Sequence, residues 1–278
     1  MVPSATLCNR TPGDDVPRCA PGRAGRAADH DSTCGSPLPG NLGRVTLSLP
    51  PDLRTPANLR DVGGLPTVDG RRLRAGEYLR SDAPQFGDVT PLVPGTVVDL
   101  RSRAETRGRT HPLARTAEVH EVPLGASLAP EVVAAVPAHE RDIAWAYRLL
   151  VTEAAPELAR IVRIVARSRG PVLVHCAAGK DRTGIVTAVV LGVVGVPREH
   201  VVADYLRTNQ NLERLWARLE ATGVPMPDDV EGLLGVDRAA LEAVLDEMDA
   251  HPDGIRGHLL DHGTDPDDLD LLTRRLVA

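Results

Sequence analysis

Residues 172 to 184 read Val-Leu-Val-His-Cys-Ala-Ala-Gly-Lys-Asp-Arg-Thr-Gly: an apolar run, a cysteine, small residues, an arginine six positions on, then a second apolar segment. A thiolate at the end of a strand with a guanidinium opposite can attack the phosphorus of a phosphate ester. Arg182 suits the task because its planar fork matches two phosphate oxygens, which the point charge of a lysine cannot do. The charge of a transferring phosphoryl group spreads over its equatorial oxygens, so such a clamp gains strength in the transition state. The chain has 31 arginines and a single lysine, and that lysine, Lys180, lies inside this segment.

Position gives the loop its chemistry. Val172-Leu173-Val174 reads as a buried strand and residues 184–191 as a buried helix, so the loop lies between a strand's carboxyl end and a helix N-terminus. Backbone N–H groups from Ala177 through Ala178, Gly179, Lys180, Asp181 and Arg182 can turn toward an anion there, and the helix dipole adds roughly half a positive charge. Ala-Ala-Gly supplies the small residues that such a cradle needs. Cys176 would stand at its base, where these charges favour the thiolate.

A Cys and an Arg six residues apart are a weak signal in so arginine-rich a chain; the strand before, the glycine within and the Thr-Gly helix start after make it specific. A nucleotide-binding P-loop would need a glycine where Val174 stands and a Ser or Thr where Asp181 stands. A sulfur carrier with a loop cysteine has no use for the Asp-Arg-Thr-Gly tail. An inert buried cysteine at a strand end remains the bland reading of Cys176.

With these residues in view, HCAAGKDRTG resembles the active-site loop of cysteine-dependent tyrosine phosphatases. Together with Asn58-Leu59-Arg60-Asp61-Val62-Gly63-Gly64 it is similar to the bacterial PtpB type, which acts on phosphotyrosine and on phosphoinositides. Residues 78–82, 97–102 and 204–209 fit the same group, and the likeness runs from about residue 44 to the end of the chain. It implies that Cys176 is the nucleophile, forming a phosphocysteine that water hydrolyses, and that Arg182 holds the phosphoryl group. It implies also that Thr183 hydrogen-bonds the sulfur, or caps the helix, and that His175 braces the loop through its ring nitrogens.

The proton donor is open. Many tyrosine phosphatases carry it in a Trp-Pro-Asp loop, but neither Trp145 nor Trp216 is followed by Pro-Asp. Asp181 on the loop is the first candidate; Asp99, at the end of a predicted strand, is the second, its alternative being an ion pair with Arg101 or Arg103. By resemblance Lys180 widens the positive field toward inositol phosphates. Arg60 and Asp61 read as buttresses of the site or as structural residues. Arg101, Arg103, Arg107 and Arg109 follow the Asp99 strand, as a helix start partly paired with Glu105 or as an extension of the positive rim.

The rest of the chain bounds this reading. Residues 1–43 hold six prolines and six glycines without an apolar period, which predicts a disordered extension before a catalytic domain over 44–278. Cys8, Cys19 and Cys34 fall in that extension without metal-type spacing. The expected chemistry calls for no metal or other cofactor. A net charge of −6 argues against general nucleic-acid binding. No secretory signal is legible, and the longest apolar stretch, 184–196, is too short to span a bilayer, so the expected location is cytoplasmic, or exported by a route without such a signal. The expected partners are phosphotyrosine proteins and phosphoinositides.

Residues 44–49, 77–80, 96–100, 118–122 and 171–175 predict strands of a mainly parallel sheet. Residues 130–150, 156–166, 184–194 and 198–208 predict helices, followed by a helical C-terminal region over 212–221, 237–250, 252–262 and 266–276. The fold class is thus α/β, a cysteine-phosphatase-like sheet flanked by helices, with 212–234 matching a lid by resemblance.

Overall fold

The computed structural model describes residues 50–125, 143–223 and 235–278. The predicted extension 1–43 and the predicted strand at 44–49 lie outside them. The sheet holds β1 (Arg60–Asp61), β2 (Tyr78–Ser81), β3 (Thr96–Asp99), β4 (Glu118–Glu121) and β5 (Val172–His175), in the order β1-β2-β5-β3-β4. Only β1 runs antiparallel to its neighbour; the rest of the sheet is parallel.

The central place of β5 follows from its sequence. A strand covered on both faces and paired on both edges must be apolar throughout, and Val172, Leu173 and Val174 are each at most 2% exposed. Alternation divides the packing. Tyr78, Val98, Val172 and Val174 join the main apolar core under the helices, while Leu79, Val97 and Leu173 face a smaller cluster with Leu59, Leu113, Ala117 and Val119.

The helices are α1 (Arg103–Thr106), α2 (Ile143–Glu153), α3 (Ala155–Arg167), α4 (Asp181–Val193), α5 (Arg198–Leu206), α6 (Leu212–Ala221), α7 (Arg238–Asp249), α8 (Gly254–Asp261) and α9 (Pro266–Leu276). α4 is buried almost all round from Thr183 onward, which fits a helix apolar on every side. α9 packs along α3 and α7 along α2.

Several elements differ from the sequence expectation: the helix predicted at 198–208 ends at Leu206, and residues 130–142 of the one predicted at 130–150 lie outside the described residues. β1 is a two-residue edge strand where the sequence shows only a turn signal, and α4 begins at Asp181 rather than at Gly184. Helix α6 occupies the first part of the segment matched to a lid, and it is anchored: Leu215 and Arg218 are buried, and Arg218 pairs with Asp82 at 2.7 Å and also with Asp88. Residues 224–234 of that segment lie outside the described residues.

Candidate active site

The strand β5 delivers Cys176, 3% exposed, to the point where the chain turns into α4. Four successive carbonyls of the turn are held by donors outside it. The Cys176 carbonyl accepts from His175 Nδ1 at 3.1 Å, and the Ala177 carbonyl from the Ala83 N–H at 3.0 Å. Asn58 Nδ2 donates to the Ala178 carbonyl at 3.3 Å and to that of Gly179 at 2.9 Å, and Arg80 Nη2 reaches Gly179 at 3.0 Å. In a trans peptide the N–H points opposite to the C=O, and none of the described peptides is cis. Fixing the carbonyls outward therefore turns the N–H groups of residues 177 to 180 the other way, into the concave side of the loop.

The segment Asn58 to Gly64 supplies part of that scaffold. Arg60 lies opposite Arg80 in the β1–β2 pair, and the carboxylate of Asp204 sits between them, accepting from Arg60 Nε and Arg80 Nη1 at 2.8 Å each. Arg60 also donates to Asn58 Oδ1, which leaves the amide nitrogen of Asn58 to face the loop. Burial would raise the Asp204 carboxyl, but the charges and hydrogen bonds of both arginines outweigh it and hold it below its ordinary value. Burial and the neighbouring Arg80 bring Arg60 down to about 10. Asp61 does not reach the loop: it binds the N–H groups of Gly63 and Gly76 at 2.8 and 2.6 Å.

Arg182 is clamped by Glu105, Nη1 to Oε2 at 2.8 Å and Nη2 to Oε1 at 2.6 Å, with a further bond to the Leu100 carbonyl at 3.3 Å. Glu105 is itself fixed by a capping box with Ser102 at the start of α1. Burial pushes its carboxyl up, and the Arg182 and Ser102 bonds overcome this to hold it at about 2. The Ser-Arg-Ala-Glu run after the β3 strand carries the capping signal; its role toward Arg182 was not legible, since Glu105 read as a partner of its neighbouring arginines.

Those arginines divide. Arg101 binds Asp99 with two nitrogens, Nε at 2.9 Å and Nη2 at 2.7 Å, while Arg107 and Arg109 line a cavity of about 330 Å³ that reaches Ala177. Burial opposes ionisation of Asp99, yet the hydrogen bonds and charge of Arg101 keep its carboxyl below the usual value. Asp181 is placed differently. It opens α4, 39% exposed, with Oδ1 accepting from the Tyr147 hydroxyl and Oδ2 3.7 Å from Lys180 Nζ. Thr183 is buried with no hydrogen-bond partner for its hydroxyl among the described residues, and no side chain caps α4.

Asp99, His111 and His175 bring metal-ligand atoms within 4.8 Å of one another, but each is engaged otherwise. The Leu113 N–H donates to His111 Nδ1 at 3.1 Å, so neutral His111 carries its proton on Nε2 and gives it to His175 Nε2 at 2.9 Å. His175 then carries its own on Nδ1, toward the Cys176 carbonyl. The arrangement is a one-way hydrogen-bond chain that ends on the loop.

Burial is the main reason both rings stand at about 4 rather than 6.5. Below pH 6.5 the unfolded rings take up protons that the folded ones refuse, so stability should fall as pH drops from about 6.5 to about 4. The expected slope is up to about 1.4 kcal/mol per pH unit for each ring. Urea unfolding across that window checks it, and His111→Asn should flatten the slope.

A family model described as "Tyrosine phosphatase family" matches residues 51–278. This chain is 30% identical over 224 residues to a protein named as a tyrosine-protein phosphatase in Cupriavidus necator, covering 74% of this chain and 81% of that one. It is 38% identical over 120 residues to the triple specificity protein phosphatase PtpB of Mycobacterium tuberculosis, covering 38% of this chain and 43% of that one. The chain belongs to the tyrosine phosphatase family. Its match to the Mycobacterium protein spans less than half the length of that relative.

As a tyrosine phosphatase family member the chain is a hydrolase, and the loop residues expected from the sequence converge: Cys176, Arg182, Asp181, Lys180, His175 and Thr183 all lie at the end of β5 or the first turn of α4. Asp99 lies behind the loop, 3.9 Å from His175 Nδ1. A second cavity, of about 430 Å³, is bounded by Asp181 and Arg182 and walled by Ile143, Ala146, Leu150 and Ile185. No helix among the described residues is long and apolar enough to cross a membrane.

Proposed function

We propose that the chain hydrolyses phosphotyrosine through a phosphocysteine. The Cys176 sulfur attacks phosphorus while the P–O bond to the tyrosine breaks, and Asp181 passes its proton to the leaving oxygen. Water then attacks the phosphocysteine, Asp181 takes a proton from it, and the S–P bond breaks to release phosphate and restore the thiolate. The inward amides of residues 177 to 180 and the Arg182 guanidinium bind the phosphoryl oxygens in both steps. The observation that carries this reading is that the outward anchoring of four loop carbonyls leaves the N–H groups of residues 177 to 180 turned to one side of the loop, between Cys176 and Arg182. The apolar walls of the 430 Å³ cavity beside Asp181 suit a phenolic ring.

Asp181 is favoured over Asp99 as the acid because Asp99 is buried, ionised and bound by Arg101, whereas Asp181 is partly exposed at the rim. A tyrosine leaving group, with a pKa of ~10, depends on that proton. Asp181→Asn should therefore slow phosphotyrosine hydrolysis by about 10²-fold or more. An ester with an acidic leaving group should slow much less, and Asp99→Asn should show no such selectivity.

A wider substrate range, including phosphoserine, phosphothreonine and phosphoinositides, is supported by Lys180 within the loop and by Arg107 and Arg109 on the cavity that reaches Ala177. Since the chain supplies both nucleophile and charge clamp, the route needs no added metal. Turnover of phosphotyrosine peptides in EDTA, with acid-quench trapping of phosphorylated Cys176, tests the mechanism; a panel of phosphoinositides beside the peptides tests the range. Hydrolysis that requires a metal, or an enzyme that never carries phosphate on sulfur, would overturn the proposal.

A further inference from the structure

The chain has three tyrosines, one phenylalanine and two tryptophans, and two of those three tyrosines converge on one carboxylate. Tyr147 projects from the buried face of α2, in line with Leu150 and Val151, and its hydroxyl donates to Asp181 Oδ1. Tyr205, from α5, places its hydroxyl 2.9 Å from that of Tyr147. Because a phenol has one proton, and that of Tyr147 goes to Asp181, Tyr205 must donate to Tyr147. The order is fixed: Tyr205 to Tyr147 to Asp181 Oδ1.

The helix is shaped to admit this chain. A Cβ at Gly184, one turn from Asp181, would lie 2.7 Å from the Tyr205 ring, so the close approach of Tyr205 depends on glycine there. Burial and the Asp181 carboxylate raise the Tyr147 phenol well above its ordinary value, and Tyr205 is likewise raised, chiefly by burial. Both hydroxyls thus keep their protons across the working pH range, Tyr205 donating to Tyr147 and Tyr147 donating to Asp181.

Resting on the assignment of Asp181 as the acid, we infer that Tyr147 is a positioning residue that fixes which oxygen of Asp181 moves the proton. With Oδ1 occupied by the Tyr147 donor, the acidic proton resides on Oδ2. When the ester P–O bond breaks, that proton passes from Oδ2 to the leaving oxygen, and in the second step Oδ2 takes a proton from water. Tyr147 neither gains nor loses a proton in the cycle. Tyr205 strengthens its donation, as linked hydrogen bonds polarise one another. The apolar face of α2 then has two uses: it walls the cavity for the leaving group and holds the acid that serves it.

The test separates proton delivery from folding and binding. Tyr147→Phe should lower kcat on phosphotyrosine by about 10- to 100-fold with KM little changed, and lower it by no more than about three-fold on an ester with an acidic leaving group. In an Asp181→Asn background the same change should add less than about two-fold, because a positioning residue has nothing left to position. Tyr205→Phe should act in the same direction more weakly and carries the test should Tyr147→Phe fail to fold. Equal losses on both esters, or a Tyr147 effect that persists without the Asp181 carboxylate, would overturn the role of Tyr147 while leaving that of Asp181 intact. An Asp181→Asn variant without leaving-group selectivity would overturn both.

Discussion

Replacing Cys176 by serine should lower phosphotyrosine hydrolysis by at least about four orders of magnitude while leaving phosphate-ester binding in place. The sulfur and the binding groups are separable in the structure. The amides of the loop are aimed by His175, Ala83, Asn58 and Arg80, and Arg182 is held by Glu105; none of these contacts involves the Cys176 side chain. A serine hydroxyl fits the same space but is far from ionised at neutral pH, and among the described residues no general base contacts this position: His175 Nδ1 donates to a carbonyl and its Nε2 accepts from His111. The phosphorylated intermediate should disappear with the activity. Calorimetry with a phosphotyrosine peptide and a stopped assay check the two halves. If the serine variant kept most of the activity, Cys176 would be an inert buried thiol, and chemistry would have to be sought elsewhere in the loop.

What the sequence makes legible is local. The β5 strand, the loop and the helix after it are adjacent in the chain, so apolar run, small residues and polar turn report their geometry directly. Even there the first turn of α4 was misplaced, since Asp181, Arg182 and Thr183 interrupt the apolar pattern that marks a helix. Under the proposed mechanism the interruption has a functional cause, because a helix that presents a carboxylate and a guanidinium at its N-terminus looks like a loop.

Residues that act across the chain left no periodic trace. Asn58 and Gly179 are 121 positions apart and Arg80 and Asp204 124 apart, and nothing in either segment names its partner. β1 has two residues, too few to show alternation. Glu105 carried a legible capping signal, but one that predicts a helix start rather than a clamp on Arg182. Tyr147 sits in an ordinary amphipathic pattern, where a buried tyrosine is indistinguishable from core. The candidate loop was therefore readable from one segment, while the groups that anchor it required the fold.

Gly179→Ala should reduce turnover by at least about 10²-fold and destabilise the protein, although the change adds one methyl group and touches no group proposed to react. Two independent constraints meet at this residue. Its φ of +65° lies in the left-handed region, which costs a non-glycine residue roughly 1–2 kcal/mol. A Cβ there would also lie 2.3 Å from the Ser81 carbonyl carbon and oxygen and 2.4 Å from the Asp82 nitrogen. These are backbone atoms, and Ser81 ends the β2 strand that pairs with β5, so neither side can yield without shifting the sheet. The loop must move instead. Its Gly179 carbonyl would leave Asn58 and Arg80, and the amides turned by those bonds would lose their common focus on the phosphoryl oxygens. A displacement of about 1 Å in such a cradle can cost about 10²-fold in rate. Because Cys176 lies before the distorted turn, its alkylation by a neutral reagent should continue while phosphate ceases to protect it. That pairing, a reactive thiol with no anion protection, distinguishes a spoiled cradle from a protein that has merely unfolded, and full protection by phosphate in the alanine variant would show that the amides of this turn do not form the anion site.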